Sequence, residues 1–161
     1  MSLKSFLSLF VALFLCIFSG CSNGKFINQK KEANIILDNL IIALENSDAQ
    51  YIKNMFSVNV QENWEELDEQ IDDMLNYFKG NVISYDIVGA VGGRESFREG
   101  KLVHSRITVA KSEKVITSES TYTISFSTIL IDDNKANEGL WRIWIGKSDE
   151  DYMIIGNSHL P

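Results

Sequence analysis

"LDEQIDDMLNYFKGNVISYD", residues 67–86, changes its hydrophobic period midway, and that change sets the fold class. Leu67, Ile71, Met74, Leu75 and Phe78 fall on one helical face, which Trp64 extends backwards. Lys79-Gly80 closes the helix, and from Val82 the period becomes two, with Ile83, Tyr85 and Ile87 alternating with Ser84 and Asp86. A helix therefore hands over to a strand, and the rest of the chain sorts to either side of this border.

Upstream the helical period recurs. In "KKEANIILDNLIIALENS", residues 30–47, Ala33, Ile36, Leu37, Leu40, Ile41 and Leu44 share a face that Ile35 and Ile42 widen, so this helix is expected to be wrapped by other elements. Ser47 with Gln50 reads as a capping box for a shorter helix through Phe56, with Ala49, Ile52 and Phe56 facing inward. "SVNV", residues 57–60, reads as a short strand, and Asn63 with Glu66 as the cap of the helix that follows.

Downstream the period is two. Val103, Ile107 and Val109 alternate with His104, Arg106 and Thr108, and Tyr122, Ile124 and Phe126 alternate with Thr121, Thr123 and Ser125. "VGGRESFREGK" (91–101), "AKSEK" (110–114) and "DDNKANEG" (132–139) read as turn-like connections. "LWRIWI" (140–145) is apolar on both faces, Trp141, Ile143 and Ile145 against Leu140 and Trp144, as expected of a central covered strand. A last strand is expected in "YMII" (152–155). Helices first and an antiparallel meander after them predict the α+β class, with N-terminal helices packed in a curved antiparallel sheet.

The chain's start carries a different signal. One positive charge at Lys4 precedes an apolar run from Phe6 to Phe18, and "IFSGC", residues 17–21, closes that run on two small residues and a cysteine. Thirteen helical residues rise about 20 Å, short of the roughly 30 Å hydrocarbon core, which favours a secretory signal over a permanent span. The segment resembles the lipobox of bacterial lipoproteins, with Phe18 where Leu is usual. That resemblance implies cleavage before Cys21 and transfer to its sulfur of a diacylglyceryl group, whose acyl chains are of the palmitate type. An ordinary export signal with an incidental cysteine, or an uncleaved anchor, is the alternative. The expected organisation is a signal peptide over 1–20, a lipidated tether over 21–28 and a single α+β domain over 29–161.

Charge and cysteine content exclude several classes. The 161-residue chain has 15 basic and 22 acidic residues, and loss of Lys4 with the signal takes the net charge to about −8. Such a balance opposes binding to nucleic acid. With Cys16 expected to go with the signal and the Cys21 sulfur to carry lipid, no disulfide, thiol nucleophile or thiolate metal site is expected.

The stretch 67–86, followed by three long strands and "GLWRIWI" (139–145), resembles a family of uncharacterised bacterial lipoproteins defined by a domain of unknown function. That family is similar to the nuclear transport factor 2-like, or cystatin-like, superfold. The resemblance covers roughly residues 29–147. It implies a cone in which a bent sheet wraps a helix, with a mouth that relatives use for small molecules, catalysis or protein binding; it transfers no catalytic residue.

Candidate chemistry is thin. His104 shares a strand face with Arg106 and Thr108, and Asp86, Tyr85 and Tyr122 are its conceivable companions; His159 sits near the C-terminus. The acids Glu62, Glu65, Glu66, Asp68, Glu69, Asp72 and Asp73 oppose the apolar stripe of their helix and read as a solvated face, so no metal or other cofactor is expected. Gly89, Gly92, Gly93 and Gly100 around Arg94, Phe97 and Arg98 read as a mobile basic loop able to dock a partner. Trp144, on the face opposite Trp141, is a candidate platform for an apolar or sugar-like ligand. The expected function is a non-catalytic, membrane-anchored, extracytoplasmic module binding a small molecule or a membrane protein near Tyr85, Tyr122, Trp144 and His104. The alternative is a small hydrolase or isomerase using His104 and Asp86.

Overall fold

The computed structural model describes residues 27–85, 91–109 and 114–156; Cys21, Asp86, Ile87, Gly89 and His159 lie outside them. Among the described residues four α-helices precede the strands: α1 (Gln29–Glu45), α2 (Ala49–Met55), α3 (Val58–Asn63) and α4 (Leu67–Tyr77). Seven strands follow among the described residues: β1 (Val82–Ser84), β2 (Val91–Arg98), β3 (Lys101–Val109), β4 (Val115–Thr117), β5 (Thr121–Ile131), β6 (Gly139–Gly146) and β7 (Tyr152–Gly156). All their pairings are antiparallel, so the α+β class stands.

β5 organises the sheet. It pairs with β4 at its start, with β3 further along and with β6 over Thr123–Ile129; β1, β2 and β7 extend these neighbours outward. Register shifts at Ser105/Arg106 and Ser127/Thr128 insert extra residues into the ladders, which bends and twists the sheet. Ile124, Phe126, Ile143, Ile145 and Ile155 are fully buried on one face. Ile36 and Asn39 of α1 line one crevice with Thr128 and Leu130 of β5, and the helices pack with this face in a single core. Ala33, Leu37, Leu40, Ile41 and Leu44 of α1 and Ile71 and Met74 of α4 complete the core.

Several local expectations are corrected. Ile35 and Ile42 do not widen the buried stripe of α1: they are 43% and 54% exposed, because only one side of this helix meets the sheet and its companions. Asp48, not Ser47, caps α2 by accepting the Tyr51 N–H at 2.9 Å, while Ser47 turns the chain at φ 51°. "SVNV" begins α3, capped by Ser57 Oγ on Val60 N–H, with Val60 alone of its valines buried. Asn63 ends α3 instead of starting α4, and Glu66 takes the N-cap position.

The largest correction concerns residues 91–98. They form β2, an edge strand paired along its length with β3, and not a loop. The hairpin turns at Glu99-Gly100, whose φ values of 52° and 75° are the left-handed pair that tight hairpins require. The basic side chains Arg94 and Arg98 thus project from a strand; Arg94 lies opposite Arg106, and Arg98 forms a 3.0 Å ion pair with Asp133.

Candidate functional site

On the sheet face away from the helices, residues that pair across the ladders share a side and build a lattice. One row is Thr123, Gly146 and Tyr152; the next is Ser125, Trp144 and Ile154; a third contains Thr108, Ser127 and Arg142. This face mixes hydroxyl, charged and aromatic side chains, where the other is the buried apolar face of the core. Ser125 and Ser127 are nonetheless buried, because they lie opposite the bulky Trp144 and Arg142.

The Arg142 guanidinium carbon lies 3.6 Å from the centroid of the Trp144 ring, a cation–π contact that fixes the indole. Burial pushes the Arg142 pKa down from its ordinary value, yet a guanidinium stays charged at physiological pH. On the other side of Trp144 along the strand is Gly146. A Cβ there would come within 2.6 Å of Tyr152 Cβ and 2.9 Å of Asp151 O, so residue 146 stays bare. Glycine at 146 lets the β6–β7 turn close down on the strand, and Trp144 and that turn border a groove of about 390 Å³ lined by Thr108, Thr123, Ser125, Trp144, Ser148, Asp149 and Tyr152, among others.

The groove's rim is the β6–β7 turn, and it is pinned from below. The Tyr77 hydroxyl, at the end of α4, donates toward the carbonyl oxygen and Oδ1 of Asp151, each at 3.0 Å, and accepts the Lys147 N–H at 3.1 Å. Burial, with the Asp151 carboxylate beside it, pushes the Tyr77 pKa up to about 12, so this donor keeps its proton at any physiological pH. Ser148 Oγ accepts the N–H groups of Glu150 and Asp151, closing the turn on itself.

The four candidate binding residues do not converge. Trp144 alone lines this groove. Tyr122 is fully buried on the opposite face, its hydroxyl donating to Tyr77 O at 3.0 Å and accepting Lys79 N–H at 2.8 Å, its ring 4.9 Å from that of Phe78. Tyr85 lies beside α1, donating to Asp38 Oδ1 at 3.0 Å. His104 sits on β3 with Nδ1 2.8 Å from Asp132 Oδ2.

That last partner was not legible in sequence, since 28 residues separate the two and only the β3–β5 register joins them. Asp132 is held by more than the imidazole: its Oδ1 accepts Asn134 N–H at 2.9 Å and the Asn137 amide at 3.1 Å. Burial opposes ionisation of Asp132, but these hydrogen bonds and His104 outweigh it and hold the carboxyl below its ordinary value. A depressed native pKa contributes stability above the unfolded value, near 3.9, and that contribution is lost as pH falls through the native value. Asp132→Asn should therefore flatten the acid limb of a thermal-melt series between about pH 5 and pH 2. Equal slopes in both proteins would refute the linkage.

Among the described residues no three His, Cys, Asp or Glu side chains gather into a metal-binding group, and no helix is long and apolar enough to cross a membrane. His104 lines neither the groove nor the crevices at Ile36–Met55–Leu140 and Lys53–Asp68. A family model described as a domain of unknown function (DUF5104) matches residues 39–150. No curated protein matches the chain in sequence.

Proposed function

From the premise that the chain belongs to the DUF5104 family, we propose that it is a lipid-anchored extracytoplasmic binding module that holds a small molecule in the groove beside Trp144. The observation that carries the reading is a preformed concavity of about 390 Å³ with a fixed indole wall. Helices against one face of a bent antiparallel sheet are compatible with a nuclear transport factor 2-like cone, though the groove lies on the outer face. The anchor rests on the sequence around Cys21, where charge, apolar run, small residues and cysteine coincide.

Two measurements test this. Labelled palmitate should attach to the wild type and not to Cys21→Ser, which should leave the membrane fraction; an unlabelled wild type overturns the anchor. Small-molecule screening by thermal shift should yield ligands whose stabilisation disappears in Trp144→Ala, and hits indifferent to that change would place binding elsewhere.

The hydrolase or isomerase reading has one observation in its favour, the His104–Asp132 pair at 2.8 Å, which orients an imidazole as a general base requires. Asp132 takes the place expected of Asp86. Neither the groove nor the two crevices reaches His104, so the binding reading has the stronger geometry.

A further inference from the structure

Resting on the lipid anchor of that reading, we infer that the β2 edge of the sheet docks on the anionic phospholipid headgroups of the bilayer that holds Cys21. The first observation is where the chain enters the fold. Asn28 caps α1 by accepting the Lys31 N–H at 3.1 Å, and a Cβ on Gly93 would overlap the Gln29 side chain, so α1 begins against β2. Only residues 22–28 separate Cys21 from that point, at most about 25 Å of extended chain. An anchored domain therefore keeps its β2 edge within reach of the headgroups.

The second observation is the charge at this edge. Lys30 and Lys31 come from the first turn of α1, Arg94 and Arg106 from the outer face of β2 and β3, and Arg98 and Lys101 from the hairpin end; Arg106 is half-buried and the others are exposed. Arg94 and Arg106 oppose each other across the ladder, and neither forms an ion pair with another described residue. Like charges in that position repel, and a phosphate shared between them removes the cost. The acids of the same segments are Glu32, Glu95 and Glu99, of which Glu95, paired with Ser105, belongs to the opposite face. From beyond β5, Asp133 is taken up by Arg98 and Asp132 by His104. Phe97, 42% exposed beside Arg98, offers an apolar side chain at headgroup level, which favours a bilayer over a dissolved anion.

The third is the separation of charge. The strand order from this edge is β2-β3-β5-β6-β7, and α4 packs along β7, where Gly156 N–H donates to Gln70 Oε1 at 2.9 Å. Asp68, Glu69, Asp72 and Asp73 of α4 and the three acids of residues 149–151 are exposed there. Four strand spacings put that edge roughly 19 Å from β2, more than twice the screening length of about 8 Å at physiological salt. A net charge near −8 therefore does not hold the β2 edge off an anionic surface, because these acids sit on the far side. The groove beside Trp144 borders the β6–β7 turn, also on the far side, and stays open when the β2 edge is docked.

The test reconstitutes the membrane-extracted protein into vesicles of phosphatidylcholine, alone or mixed with phosphatidylglycerol, and follows amide hydrogen exchange by mass spectrometry. Amides of residues 94–101 should exchange about fivefold slower or more on the anionic vesicles, the effect of a single cation at such a surface, and the slowing should fade in high salt. Arg94→Gln with Arg106→Gln should abolish it. Lys79→Gln with Lys114→Gln removes the same charge elsewhere and should keep it. On neutral vesicles both variants should exchange as the wild type does, which shows their folds intact. Acylated wild type that exchanges equally on both vesicles overturns the docking alone; protein carrying no acyl chain overturns the anchor and the docking with it. Slowing lost in both double variants would mean that total charge is read and not this edge. Equal slowing by soluble polyphosphate on neutral vesicles would assign the edge to a dissolved anion. Either result overturns the inference.

Discussion

Tyr122→Ala should lower the free energy of unfolding by about 3–5 kcal/mol, the usual cost of deleting a fully buried aromatic side chain. Its ring packs edge-on to Tyr77 at 5.7 Å and tilted against Phe78 at 4.9 Å, within the core. The hydroxyl also satisfies two main-chain groups where α4 ends, Tyr77 O and Lys79 N–H. Tyr122→Phe isolates that part: the ring remains, the two backbone groups lose their partner, and the loss should be about 1–3 kcal/mol. Urea denaturation of the three proteins measures both. If Tyr122→Ala cost under about 1 kcal/mol, the tyrosine would not be a core residue, and its candidacy as a ligand contact would return. For a domain whose total stability is of order 5–15 kcal/mol, the predicted loss brings the variant close to unfolding at 37 °C.

Gly139→Ala should be about as damaging, for a backbone reason. Gly139 opens β6 at φ +125°, where side chains are strained, and a Cβ would come within 2.7 Å of Ser57 N and 3.0 Å of Met55 O. Beside it Ser57 N–H donates to Leu140 O at 2.9 Å, and Phe56 forms a parallel bridge with Leu140; together they hold the α2–α3 corner against the sheet. Strain of about 1–3 kcal/mol and overpacking of similar size add to a loss of roughly 2–5 kcal/mol. The midpoint of urea denaturation reports it, and an unchanged midpoint would mean that the corner and β6 do not meet so closely.

These two positions show how far sequence reaches. The handover from α4 to strand at Gly80 and the place of β6 between two neighbours were legible, because each depends on a period that local sequence carries. β2 was not, because an edge strand with exposed Gly92, Gly93, Arg94, Phe97 and Arg98 has no buried face to impose alternation. α3 was misread because alternating valines favour a strand, while the Ser57 cap and the packing of Val60 decide for a helix. Ser47 and Asp48 both fit a cap, and the left-handed turn at Ser47 left the role to Asp48. Trp144 was found by parity, whereas Thr123, Gly146 and Tyr152 join it only through the β5–β6–β7 register, which no single strand encodes.

The Tyr77 anchor also bears on kinetics. Its hydroxyl ties the turn carrying Ser148 and Asp149 to the last residue of α4 at three backbone and side-chain atoms. A wall bolted down in this way does not swing. Stopped-flow mixing with any occupant should give a single exponential whose rate climbs in proportion to ligand concentration, without the plateau that a gating isomerisation imposes. Tyr77→Phe, which loosens the bolt, is where curvature in that plot should first emerge.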